Sequence, residues 1–340
     1  MRGDFALDLG TTHTRLAAPG EGLRLSEPSV VAVDAQTGRI LPGGCAVGRV
    51  AKLMQGRTPQ SIRVERPLRE GVIADFALCE TMLAYFLAKA QHRSWGMSPR
   101  VLVGVCASAT PVERRALSHV IRRAGAGRVL LVPKAKAAAI GAGLPILEPL
   151  GSMICDLGGG ASEIAVLSLG DIVAQTSLRI GADHLDLALT AWLRRKHGLT
   201  IGPATAEQLR LGLGAAWPSE DPSSGEAGGV DAFSGVPRAV MLTEADLREA
   251  FHEPLMKIAE AVRRTLDACP PDLTADLLSQ GLVLAGGGSL LPGIDRFLAE
   301  QTGLPVRCCA GPRGAIVGGG PLCLEPASRW KPVRRLAAAV

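Results

Sequence analysis

The sequence predicts an α/β protein built of two similar lobes. Short β-branched or alternating runs closed by turn residues alternate with stretches whose apolar positions recur at helical spacing. The second half of the chain repeats the scheme of the first. A strand that ends in Asp-Leu-Gly occurs once in each half, at Asp8-Leu9-Gly10 and at Asp156-Leu157-Gly158. With 340 residues, the chain also exceeds what one hydrophobic core usually holds, which favours two bodies over one.

Taken in order, "DFALDLG", "TRLAAPG", "SVVAVD" and "VLVGVCA" read as strands, and "ALCETMLAYFLAKAQH" and "PVERRALSHVIRRAGAG" as helices with a glycine stop. Val132 to Gly143, "VPKAKAAAIGAG", is an alanine-rich helix start that carries two lysines and no carboxylate. "SMICDLGGGASEIAVLSLG" offers two strands around a glycine turn. "GADHLDLALTAWLRRKHG" and "TEADLREAFHEPLMKIAEAVRRTLDAC" are amphipathic helices, and "GLVLAGGGSLLPGIDRFLAEQTG" runs strand, turn, helix. Pro218 to Gly235, "PSEDPSSGEAGGVDAFSG", has no apolar period and is expected to be a surface loop of low β-propensity.

Composition narrows the function classes. The chain is 47% hydrophobic and 3% aromatic, with 41 Gly and 23 Pro, as suits an ordered α/β protein made of Ala, Leu and Val. Its net charge of +5 is spread along the chain, so no nucleic-acid footprint is present. Eight cysteines without a C-x-x-C are expected to be small buried hydrophobes. Neither a signal peptide nor an apolar run of membrane-spanning length is found, so the expected location is the cytoplasm.

The chemistry lies in the turns. After Asp8 come Thr11, Thr12 and His13, and after Asp156 come Gly158, Gly159 and Gly160. Glycine lets backbone approach a phosphate, successive N–H groups make an anion-binding concavity, and an Asp at a strand end can hold a hydrated divalent cation. Two such turns facing each other would grip one polyphosphate from both sides. A third turn, Gly286-Gly287-Gly288-Ser289, also follows a strand and precedes a helix, where bare backbone could lie against a base or ribose.

These three turns resemble the two phosphate loops and the adenosine loop of the actin, Hsp70 and sugar-kinase superfamily. "EPSVVAV", "GRTPQSIRVERPLREGVIADF", "SPRVLVGV", "AAAIGAGLP" and "CPPDL" resemble the MreB family of bacterial actins in particular. The resemblance implies an actin-like two-lobed fold of duplicated RNase H-like domains with an interlobe nucleotide cleft. Residues 1–144 with 320–340 would form the first lobe, subdomains IA and IB, with IB about 30–75. Residues 145–319 would form the second, IIA and IIB, with IIB about 181–244. It further implies ATP in the cleft, Mg²⁺ held by Asp8 and Asp156 through water, and an adenosine-side role for Glu207 and for Arg210, which stands where the family favours Lys and could stack on the base. Self-assembly is implied too, alone or with a co-polymerising paralogue. So is attachment to the inner face of the cytoplasmic membrane, together with a membrane adaptor and cell-wall synthesis proteins.

Two departures from the family pattern bear on hydrolysis. Its sequences place a water-orienting glutamate and a threonine where this chain has Lys134 and Ala161. Weak or absent hydrolysis is therefore expected. Only seven residues precede Asp8, so an N-terminal amphipathic membrane helix is not expected, and Trp95 and Met97 fall where the family's apolar membrane loop lies. The tail after Ser328 adds Trp330 and basic residues as a second candidate contact. A small-molecule kinase or another ATPase of the same superfamily is the alternative activity. A chaperone would need a peptide-binding domain after the ATPase part.

Overall fold

Every residue of Phe5–Leu9 is buried, and so is every residue of Ser152–Leu157. Each run forms the middle strand of a five-stranded sheet, where both faces are covered. The computed structural model describes residues 4–41, 46–91 and 98–324. Trp95, Met97 and the tail from residue 325 lie outside the described residues.

In chain order the first half comprises β1 (Phe5–Leu9), β2 (His13–Ala18), β3 (Gly22–Pro28), β4 (Val31–Asp34), α1 (Arg49–Met54), β5 (Ile62–Glu65), β6 (Leu68–Arg69), β7 (Val72–Ile73), α2 (Phe76–Ala90), β8 (Arg100–Val105), α3 (Pro111–Arg123), β9 (Arg128–Pro133) and α4 (Lys134–Gly141). The second half comprises β10 (Ser152–Leu157), β11 (Ser162–Ser168), β12 (Asp171–Leu178), α5 (Ala182–His197), β13 (Leu199–Thr200), α6 (Pro203–Leu213), β14 (Ser224–Asp231), β15 (Pro237–Thr243), α7 (Glu244–Asp267), α8 (Pro271–Gln280), β16 (Leu282–Ala285), α9 (Ile294–Thr302), β17 (Val306–Cys308) and α10 (Ala315–Leu324).

The two large sheets have one topology, β3-β2-β1-β8-β9 and β12-β11-β10-β16-β17. In each, an antiparallel meander is extended by two parallel strands reached through helical crossovers. Equivalent registers place Arg15 opposite Asp8 and Glu163 opposite Asp156. The alanine-rich α4 is buried almost throughout and lies against α10. A Cβ on Gly141 would come within 1.8 Å of the Ala315 carbonyl oxygen, and one on Gly319 within 2.0 Å of that of Ala137. Small residues are needed because the two helix backbones touch. Alanines of α4, with Leu102, Ile154, Val283 and Ile316, form the apolar cluster that joins both sheets.

Two expectations are corrected. Pro218 to Gly235 is not all loop: Ser224–Asp231 is a strand between β13 and β15, paired from Ser224↔Thr243 to Val230↔Pro237. Tertiary pairing overrides propensity here. Ala227 is fully buried, and Gly229 sits so close to β13 that a Cβ would meet the Thr200 carbonyl oxygen at 2.4 Å. Cys308, at the end of edge strand β17, is exposed, while the other described cysteines are buried as expected.

Candidate functional site

The turn after β1 is closed by Gly10 N–H donating to His13 O at 3.1 Å, and the turn after β10 by Gly158 N–H donating to Ala161 O at 2.9 Å. One local geometry is therefore used twice. A Cβ on Gly159 would sit 2.3 Å from Thr12 Cγ2, and one on Gly160 2.5 Å from Thr11 Oγ1. The two turns thus face each other in contact, which requires glycine at both positions. Thr11 Oγ1 also accepts from Gly71 N–H at 3.0 Å. The third turn needs glycine at Gly286, whose φ is +82°, and Gly288 lies against the Leu157 backbone.

Between the lobes lies a cavity of about 390 Å³, within the range of small-molecule sites. Asp8, Thr11, Thr12, His13, Asp156, Gly158, Gly159, Gly160, Glu207, Arg210, Gly286, Gly287 and Gly288 all line it, with Lys134 and Ala161. Ser289 does not: its buried hydroxyl donates to Gly286 O at 2.7 Å and braces the turn from behind.

The floor is charged. Asp8 meets Arg15 at 3.5 Å through Oδ2 and Lys134 Nζ at 3.6 Å through Oδ1. Glu163 accepts from Ala107 N–H at 2.9 Å, from Ser177 Oγ at 2.7 Å and from Gln175 Nε2 at 3.4 Å. Burial pushes the Asp156 carboxyl up to about 7, with Asp8 and Glu163 adding to the rise and Lys134 opposing it. For Lys134 burial disfavours the charge, but Cys106, Asp8, Asp156 and Glu163 together hold its ammonium above the ordinary lysine range. His13 is lowered to about 4, by burial first and then by the Arg15 charge, so it is neutral at pH 7.

Salt bridges cross the mouth. Lys52 of α1 pairs with Glu207 of α6 and also donates to Gln55 Oε1 at 2.8 Å. Arg66 pairs with Asp183 of α5 at 2.8 Å. Arg210 is fastened to Asp186 by bonds of 2.6 and 3.4 Å, which holds its guanidinium rather than leaving it free to stack. Lys52, Arg66, Glu163 and Asp186 escaped the sequence reading because only the fold brings them together. Arg313 also lines the cavity, and it follows a glycine turn in "AGPRGA" that could have marked it.

The site fits a nucleotide by its paired glycine turns and its volume. For a divalent cation the carboxylates that could serve, through water, are Asp8 and Asp156, both lining the cavity. Asp8 Oδ1 is buried without a hydrogen-bond partner, so it can accept from a metal-held water. Among the described residues no group of three or more His, Cys, Asp or Glu side chains could hold a metal directly.

A family model described as MreB/Mbl protein matches residues 2–331. The chain belongs to the MreB/Mbl family. The cell shape-determining protein MreB of Escherichia coli is 44% identical over 323 residues, covering 95% of this chain and 93% of that protein. The cell shape-determining protein Mbl of Bacillus subtilis is 36% identical, covering 98% and 99%. Among solved structures, MreB5 of Spiroplasma citri bound to AMPPNP superposes with a TM-score of 0.89 at 30% identity, covering 95% of this chain and 96% of that one. The fold is the actin-like fold of MreB proteins. Among the described residues no helix is long and apolar enough to cross a membrane.

Proposed function

We propose that this chain is an ATP-binding, actin-like cytoskeletal protein whose filaments lie on the inner face of the cytoplasmic membrane, and that it hydrolyses ATP weakly or not at all. Its filaments help determine cell shape by organising cell-wall synthesis. They consist of this chain alone or with a co-polymerising paralogue, and they meet a membrane adaptor and wall-synthesis proteins. Family membership supports the cytoskeletal class and the nucleotide.

One observation carries the loss of hydrolysis: the Lys134 side chain stands in the cleft beside Asp8, at the position where the family resemblance implies a water-orienting glutamate. An ammonium has donors and no acceptor, so it can neither aim a water's lone pair at phosphorus nor take its proton. Ala161 has no hydroxyl to assist. Glu163 is held in place by hydrogen bonds from Ala107 N–H and Ser177 Oγ to Oε1 and from Gln175 Nε2 to Oε2. The backbone N–H groups of the two phosphate turns and of the Gly286 turn bind and orient the nucleotide, and they need none of the lost groups. A bound Mg²⁺, held by Asp8 and Asp156, would supply charge neutralisation on the phosphate oxygens.

The test is steady-state phosphate release with polymer present, followed alongside sedimentation. Release close to the uncatalysed rate is expected, rising in Lys134→Glu combined with Ala161→Thr. Release from the unmodified chain at the rate of an ordinary MreB would refute the reading.

A further inference from the structure

Lys134 is the first residue of α4, and its side chain is only 10% exposed. Lysine is almost never fully buried unless paired. Among the described residues its ion-pair partner is Asp8, at 3.6 Å, which is longer than a hydrogen bond. Among the described residues no acceptor therefore takes a hydrogen bond from the ammonium, and the residue lines the cavity between the two glycine turns. Its stem is held in place: a Cβ on Gly104 of β8 would already touch Lys134 Cγ at 3.0 Å. The head group is thus set by packing on one side and by Asp8 on the other.

The lining also carries Asp8, Asp156 and Glu163. A polyphosphate adds more negative charge to these carboxylates, and such a cavity accepts it only if positive charge stands between them. A divalent metal is one way to provide that charge. A buried ammonium already fixed on the same wall is another, and it needs no recruitment from solvent.

We propose that the Lys134 ammonium is a resident phosphate-binding cation, which lets this cleft hold a nucleoside di- or triphosphate without a divalent metal. The proposal rests on the nucleotide-binding reading above and adds the source of the charge. Titration calorimetry of the full chain with ATP and with ADP, each in excess EDTA and in excess Mg²⁺, tests it. The unmodified chain should bind in both buffers with dissociation constants within about threefold of each other. Lys134→Met, close in length but uncharged, should lose about tenfold or more in EDTA and recover with Mg²⁺, while Lys134→Arg should keep binding in EDTA. Circular dichroism melts of the variants check that they are folded.

Binding by the unmodified chain only when Mg²⁺ is present would overturn the proposal and leave the nucleotide reading intact. Folded Lys134→Met that binds in EDTA as tightly as the unmodified chain would overturn it equally. Absence of binding in either buffer would overturn the nucleotide reading itself, and this inference with it.

Discussion

Lys52→Ala should make the nucleotide leave faster. The Lys52–Glu207 pair joins α1 in the first half of the chain to α6 in the second, across the mouth of the cleft. The two side chains are 26% and 21% exposed, which places the bridge between a surface pair and a buried one. Hydrogen bonds to charged groups are worth about 1.5–3 kcal/mol, and exposed pairs about 0.2–1. With a fifth to a quarter of each side chain still wet, about 1.5 kcal/mol is appropriate for the closed state. If release requires the mouth to open, losing that amount makes opening about tenfold more frequent. The assay is a stopped-flow chase of a fluorescent ATP analogue by excess ATP. A rise of about tenfold is expected in Lys52→Ala, with partial restoration when Lys52→Glu is combined with Glu207→Lys. An off-rate within twofold of the unmodified chain in Lys52→Ala would show that the bridge does not hold the cleft closed.

Other expectations follow from particular contacts. Gly159→Ala places a methyl 2.3 Å from Thr12 Cγ2 and should separate the two phosphate turns, reducing nucleotide affinity by tenfold or more while circular dichroism stays native. His13 has a native value of about 4 against 6.5 in the ordinary case. Between these values the unfolded chain binds more protons at this group, so the stability contributed by His13 is complete above pH 6.5 and is lost as pH drops toward 4, by up to about 3 kcal/mol. Urea unfolding at pH 7, 5 and 4 should show this slope reduced in His13→Gln; an unchanged slope would refute the assignment. Gly229→Val, which drives a side chain into the Thr200 carbonyl, should lower the melting temperature by several degrees, and an unchanged melt would argue against the observed β13–β14 pairing. Trp95→Ala with Met97→Ala should lower co-sedimentation with anionic liposomes. If it does not, the basic tail becomes the better membrane contact.

What the sequence determined by itself was whatever local periodicity and backbone geometry encode. The all-buried strands Phe5–Leu9 and Ser152–Leu157 show as apolar runs, the helices as apolar positions at helical spacing, and the two facing turns as a glycine two residues after an aspartate. The lysine at position 134 is legible as a charge with no carboxylate beside it. Its meaning is not, since nothing local says that an alanine-rich helix will bring the ammonium to Asp8, more than a hundred residues earlier. The strand Ser224–Asp231 could not be read because glycine and serine carry little preference of their own, and its partners β13 and β15 supply the hydrogen bonds that decide its state. Lys52–Glu207, Arg66–Asp183 and Arg210–Asp186 are pairs of ordinary surface residues in the sequence. Charge pairing has no sequence period, so only tertiary packing, between the two halves for the first two pairs and between α5 and α6 for the third, could select these partners, and only the folded turn directs the Ser289 hydroxyl to Gly286 O instead of the cavity it was expected to line.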